Sequence, residues 1–284
     1  AAVPFTPATG PRLLVREGLD KVLVQRQLAA GLIGAAEHLK IATISVNFLP
    51  EDEWDLLDDG DYLKRADQQY HWYNRDYGSF DDFLDDLSSR KRKNIRKERR
   101  GALASGVEIE WLSGSDIREE HWDAFYKFYM DTGSRKWGQP YLNREFFSLI
   151  TESMADRILL ILCRRQDRYI AGALNLIGEE ALFGRYWGCI EDHPFLHFEV
   201  CYYQAIDYAI QHGLSRVEAG AQGPHKIARG YRPTQTHSAH YIRDPGFREA
   251  VANYLEHERA EVGHDIEYLS ERGPFRKGER QTLD

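Results

Sequence analysis

Three apolar runs follow one another with almost nothing between them: ILLILCRR from Ile158, YIAGALNLIG from Tyr169 and ALFGRYWGCI from Ala181. Each has the length and residue types of a strand. A parallel crossover needs about a dozen residues or more, usually a helix, and the gaps here hold only QDR and EE. The three strands must form an antiparallel meander. Before them the pattern gives a strand at Val107–Leu112 and helices at His121–Thr132 and Asn143–Met154, separated by the loop SRKWGQPYL. After them comes a helix with one apolar face, Phe198, Cys201, Tyr202, Ala205, Ile206, Ala209 and Ile210. Gly213 is placed to end it. A short strand from Val217, a turn rich in glycine and a last strand, THSAHYI, complete the series. The order is α/β with a mixed sheet and one possible parallel crossover.

The N-terminal part reads as a helix over 17–39, with Leu19, Val22, Leu23, Leu28, Leu32 and Ile33 on its apolar side, a strand at Ile41–Phe48, an acidic helix at Glu51–Leu57 and a strand around Gln69–Tyr73. The tail from Asp244 to Ser270 reads as a long helix, apolar at Phe247, Val251, Leu255, Val262, Ile266 and Leu269. Four segments are expected: a partial first lobe at 1–80, a connector helix at 81–106, a complete lobe at 107–243 and a helical tail at 244–284. The opening residues, with no Met, look like the inside of a larger protein. No stretch approaches about 18 apolar residues and no signal peptide is evident, so a cytoplasmic location is expected. Cys163, Cys189 and Cys201 are isolated on apolar elements and read as free thiols.

Charge is unevenly spread. The net charge is −8, which opposes general nucleic-acid affinity. Yet RKRKNIRKERR, Arg90 to Arg100, carries eight basic residues against Glu98, a local +7, leaving −15 for the remainder. Arg92, Lys93, Arg96 and Lys97 are candidates to lie along RNA phosphates. The alternative is a solvated connector neutralised by the aspartates of SFDDFLDDL just upstream.

The stretches SSRKRKNIRKERRGALASGVEIE, GRYWGC, HPFLHFEVCYY and EAGAQGPHKIARGYRP resemble the Fem-type peptidoglycan aminoacyltransferases, and still more the FemAB-like GNAT proteins of Gram-negative bacteria. The resemblance covers essentially the whole chain. It implies a GNAT-like acyltransferase lobe preceded by a truncated first lobe, and acylation of an amine on a cell-wall precursor by an aminoacyl-tRNA. It further implies that Lys226 positions or polarises the substrate. Two departures stand out: His225 replaces the aromatic before that lysine, and EDHPFLHFE stands where CoA enzymes carry a glycine-rich pyrophosphate loop. No tightly bound cofactor is implied; the co-substrate is aminoacyl-tRNA or, alternatively, acyl-CoA.

Acyl transfer to an amine requires a proton acceptor, a polarised carbonyl and near-attack geometry. Glu218, on the strand before the glycine-rich turn, is one candidate base; otherwise it pairs with Arg216 or Arg185. His225 is the other, since its ordinary pKa needs no tuning. Lys226 and Arg229, three apart, suit a phosphate or carboxylate beside Gly220 and Gly223. His193, His197 and Glu199 invite a metal reading, but their spacing across changing structure favours capping or substrate contacts. Strand alternation places Arg185 and Trp187 on one face and Tyr186 on the other, where Tyr186 is a core ring or a wall of the acceptor site. Arg135, Lys136 and Trp137, in the loop between two helices, are candidates to hold an anionic substrate. The expected function is direct N-acyl transfer, with an acyl-CoA-dependent enzyme or a degenerate RNA- or protein-binding module as alternatives.

Overall fold

The structure is a computed structural model describing residues 7–57, 61–135 and 140–276. Packing divides the chain into two compact units, Ala1–Gln69 with Pro233–Glu271, and Tyr70–Arg232 with Arg272–Asp284. This division differs from the four expected segments: the basic helix falls inside the second unit, and the long C-terminal helix inside the first.

The first unit holds α1 (Lys21–His38), β1 (Thr43–Leu49), α2 (Glu51–Leu56), the start of β2 (Leu63–Tyr73), nearly all of β8 (Arg232–Ile242) and α9 (Pro245–Ser270). β1 runs antiparallel to β8, Thr43 opposite Ile242. α1 corrects the expected apolar face. Its buried residues are Gln25, Ala29 and Ala36, while Leu19, Val22, Leu23, Leu28 and Leu32 are exposed. The reason is a buried polar cluster. Glu53, 1% exposed, accepts hydrogen bonds from the backbone N–H groups of Arg12 and Leu13 and from Gln25 Nε2. A buried carboxylate must be satisfied, and this one turns Gln25 inward beside Ala29 and Ala36, while Ile33, as expected, packs against the core from a half-buried position. In α9 the expected stripe holds in part: Leu255 is buried, Val251, Val262, Ile266 and Leu269 are half-buried, and Phe247 is exposed.

The second unit contains the meander. β3 (Glu108–Leu112), β4 (Ile158–Arg165), β5 (Arg168–Ile177) and β6 (Ala181–Cys189) pair antiparallel in sequence. β6 then pairs in parallel with β7 (Arg216–Glu218), which runs antiparallel to the end of β2. All six residues from Ile158 to Cys163 are fully buried, as a strand covered on both faces requires. One face carries α5 (Glu119–Arg135) and α6 (Arg144–Met154), whose Trp122, Phe125, Phe128 and Phe147 pack on Leu160, Leu162 and Leu174. The other face meets a helix of three parts: α7 (Leu196–Phe198), a π turn (Glu199–Tyr203) and α8 (Gln204–Gln211). There Trp111 donates to Gln204 Oε1 at 2.8 Å and meets Tyr208 edge-on. Gly213, at φ 65°, follows the end of α8, as its left-handed backbone allows. α3 (Phe80–Asp85) and α4 (Ser89–Leu103) also belong to this unit.

The π turn changes the expected helix face. Its wider winding brings Glu199, Val200 and Tyr203 into the interior, whereas Phe198 and Cys201 are only half-buried.

Candidate active site

The site lies along the part of β6 that extends past the end of β7. β6 and β7 pair only at Ala181–Phe183, and β7 ends at Glu218. Just beyond, β6 bulges: Leu174 faces Tyr186 and Asn175 faces Gly184, leaving Arg185 as the extra residue. The second half of β6, Gly184 to Cys189, runs on past the end of β7. Its Trp187 and Cys189 line a cavity of about 280 Å³ with Thr132 and Arg135 of α5 and with Glu191, Asp192, His193, Leu196 and His197.

His197 links this cavity to the glycine-rich turn. Its ring meets Trp187, Tyr202 and His225 at centroid distances of 5.4, 5.4 and 6.4 Å. His225 is exposed, and its Nε2 lies 2.9 Å from the Tyr202 hydroxyl. Burial, with Arg229 and Lys226 nearby, lowers the His225 pKa, so the ring is neutral near pH 7. Burial raises the Tyr202 pKa, which keeps its hydroxyl protonated.

The turn itself is a 3-10 helix, Pro224–Arg229, between Gly223 and Gly230. Arg229 lies inside it and is buried. Its guanidinium donates to both carboxylate oxygens of Glu98 (2.9 and 3.1 Å) and to the His225 carbonyl (2.8 Å), and stacks 3.5 Å over Phe198. Lys226 is buried too. Its Nζ donates to the carbonyls of Ala219 and Gly220, at 2.5 and 3.2 Å, and burial lowers its pKa to about 8.

Glu218 is 4% exposed and pairs with Arg216 at 2.9 Å, one of the two expected partners. Its second oxygen lies 3.7 Å from Nε2 of His71. Burial raises the Glu218 pKa, and burial with Arg216 and Lys226 pushes that of His71 down to about 4.

Other candidates lie apart. Arg185 sits over the Tyr186 ring, and the Tyr186 hydroxyl is 2.6 Å from that of Tyr141. The bulge breaks the alternation expected for Arg185. Tyr186 packs against the α5–α6 core and neither residue lines the cavity. Arg135 lies in α5 rather than in a loop, pairs with Asp131 and donates to the Cys189 carbonyl. Lys136 and Trp137 lie outside the described residues. Glu199, 1% exposed, accepts from Arg99, which also reaches Asp207 at 2.6 Å. His193 lies between Glu191 and Ser105. Arg165, His193 and Arg168 hold the Glu191 carboxyl down at about 2.

α4 is built into the unit. Ile95 and Ala102 are buried, Arg92 and Arg96 pair with Asp85 and Asp81 of α3, and Glu98 accepts from Arg229 and Tyr203. Lys93 and Lys97 are exposed.

Tyr202, His71, Glu98 and Arg99 belong to the site's framework, yet none stood out in the sequence. Tyr202 sits at a helical core position. A signal for His71 existed: alternation in QQYHWY places it with Tyr73 on one side of a strand.

Together, the antiparallel meander, the single parallel pairing of β6 with β7 and the helices on both faces give the mixed α/β sheet expected of a GNAT-like lobe. The chain belongs to the FemAB-like family, described as peptidoglycan biosynthesis/recognition, whose model matches residues 1–277. Solved structures of similar fold include L-PGS from Bacillus licheniformis, at 10% identity and TM-score 0.58, covering 81% of this chain and 78% of that one. The C-terminal domain of a putative lysylphosphatidylglycerol synthetase from Agrobacterium fabrum is alike at 10% and 0.58, covering 81% and 77%. FemX matches at 14% and 0.55, covering 88% and 85%. No curated protein matches the chain. Among the described residues, no helix is long and apolar enough to cross a membrane.

Proposed function

We propose that the protein is an N-acyltransferase that moves an aminoacyl group directly from an activated ester to a primary amine of a cell-wall precursor. The observation that carries this reading is the placement of His225: exposed, hydrogen-bonded to Tyr202 and beside the cavity wall at His197. Nothing covalent on the protein is needed. His225 takes a proton from the acceptor ammonium, and the freed amine attacks the acyl carbon. The C–N bond forms and the ester C–O bond breaks; the first proton leaves through His225 to solvent, and the second, lost from the nitrogen as the amide forms, passes by way of His225 to the departing hydroxyl oxygen. If Nε2–H donates to the Tyr202 oxygen, the lone pair stands on Nδ1.

Two features support an aminoacyl-tRNA donor over acyl-CoA. The family resemblance implies it, and the stretch before α7 reads EDHPFLHFE where CoA enzymes carry a glycine-rich pyrophosphate loop. A cavity of about 280 Å³ is also at the small end for ligand sites, which suits one residue-sized group.

The test is a mass-spectrometric assay for amide formation between stem-peptide amines and either aminoacyl-tRNA or acyl-CoA. Product from the tRNA donor, lost in His225→Gln, is expected. Full turnover by that variant overturns the assignment of His225; product from acyl-CoA alone overturns the donor.

A further inference from the structure

We propose that Lys226 is a positioning residue, fixing His225 through the carbonyls of Ala219 and Gly220, and that it does not bind substrate as a cation. This rests on the reading of His225 as the proton acceptor.

The geometry of the loop carries the argument. Residues 219–225 leave β7 and return to the 3-10 turn through Gly220 and Gly223, at φ 72° and 100°. At its start, Ala219 N–H donates to the Tyr70 carbonyl and Tyr70 N–H to the Gly220 carbonyl. At its end, Lys226 N–H donates to the Gly223 carbonyl. The ammonium of Lys226 joins the two ends, donating to Ala219 and Gly220, with the Tyr70 ring 5.4 Å from Nζ. His225 is the neighbouring residue, so closing this loop sets where its ring stands. Two left-handed glycines give the loop little stiffness of its own. The clamp supplies it.

The same facts argue against substrate contact. Lys226 is 4% exposed and its ammonium faces backbone carbonyls and a ring. Among the described residues, no carboxylate pairs with it. The groups around it are Tyr70 and His71 on β2, Arg216 and Glu218 on β7, Cys201 on the π turn, and His225 and Arg229 on its own turn. Glu218 is held by Arg216 at 2.9 Å. Burial brings the Lys226 pKa down to about 8, so its charge-assisted bonds weaken as pH rises through that value. The sign for global stability is the reverse. A buried lysine whose folded pKa is lowered makes folding more favourable as pH rises from about 8 toward the ordinary lysine value near 10.5. Positioning and stability therefore respond oppositely over one pH range.

The experiment compares the wild type with Lys226→Arg and Lys226→Met, using two readouts between pH 6 and 10. In the acyl-transfer assay, Lys226→Met lowers kcat about tenfold or more, with KM within about twofold, as expected for a misplaced group. The wild-type rate falls on the alkaline side near pH 8; Lys226→Arg keeps partial activity and lacks that fall. In ligand-free protein, the His225 imidazole NMR signal of the wild type shows a second titration near pH 8 that both variants lose. A raised KM with kcat unchanged in Lys226→Met overturns the proposal. So does a His225 signal without the second titration in the wild type, which decides the matter even if no acyl transfer is detected or a variant fails to fold.

Discussion

The Tyr202 hydroxyl stands 2.9 Å from Nε2 of His225, joining a π turn to a 3-10 turn. The π turn is what makes the meeting possible, because its extra residue resets the helix face at that point. Tyr202 is almost wholly buried, so its hydroxyl needs a partner, and His225 is the exposed end of the pair.

Removing that hydroxyl leaves the imidazole free to rotate. Tyr202→Phe is expected to lower kcat by about 10- to 100-fold, below the full effect of losing a general base. Stability should fall by only about 1 kcal/mol, the net worth of one hydrogen bond. Steady-state kinetics and urea unfolding of the same preparation check both; an unchanged kcat removes Tyr202 from the mechanism.

The lowered His225 pKa predicts where activity fails on the acid side. The base must be neutral, so the acid limb of kcat/KM should lie below the ordinary histidine value of 6.5. A limb at or above that pH contradicts the assignment. His71 gives a separate signature in stability. With its folded pKa near 4, the unfolded chain takes up a proton that the native ring refuses, so stability falls as pH drops from about 6.5 to 4. His71→Asn should flatten that part of the stability–pH curve.

Arg99 holds two acids together, Glu199 at 1% side-chain exposure and Asp207 at 17%. Arg99→Gln leaves both without their cation and should cost about 3 kcal/mol at pH 7. Burial raises both carboxyl pKa values even with the arginine present. Native groups then bind protons that the unfolded chain does not, so acidification from pH 7 toward 4.5 should recover part of the loss. Urea unfolding at the two pH values measures this; a loss that grows with acid contradicts it.

How much of this was legible follows the kind of interaction. The meander was, because spacing alone forbids crossovers between Ile158 and Ile190. So was the exposed glycine-rich turn with His225. Local periodicity failed where a distant polar group decided the packing. In α1, Glu53 draws in Gln25, and Leu23 and Leu28 are left outside. The π turn inverted the reading of Glu199, and the bulge that of Arg185, because a one-residue insertion leaves no mark on composition. The spacing of Lys226 and Arg229 offers Arg229 as a ligand for an anion, but its partner in the fold, Glu98, lies 131 residues away. Such a pairing is set by the fold and is not visible in spacing.

Gly188 lies where the backbone of α5 comes up against β6. A Cβ there would stand 2.3 Å from the Phe128 carbonyl oxygen, and backbone cannot yield as a side chain does. Gly188→Ala should destabilise by about 1–3 kcal/mol and displace Arg135 and Thr132 from the cavity wall they share with Trp187 and Cys189. Gly34→Ala is the opposite case. It lies inside α1 with nothing within 4 Å of an added Cβ, and should stabilise by up to about 1 kcal/mol. Thermal unfolding of the two variants should shift in opposite directions.

An RNA-borne donor has a consequence for α4. Arg92, Arg96 and Arg99 point to acids, while Arg90, Lys93, Lys97 and Arg100 are exposed and, among the described residues, form no ion pair. Spaced three, four and three apart, the four share one helical face about 15 Å long. Each phosphate they meet should contribute about −0.9 to the slope of log affinity against log salt for a duplex. Lys93→Gln with Lys97→Gln should therefore weaken tRNA binding and reduce that slope by about 2. Arg92→Gln with Arg96→Gln should change it far less, because those cations already face Asp85 and Asp81. Equal effects from both pairs, or no salt dependence in the wild type, would place the donor elsewhere on the molecule.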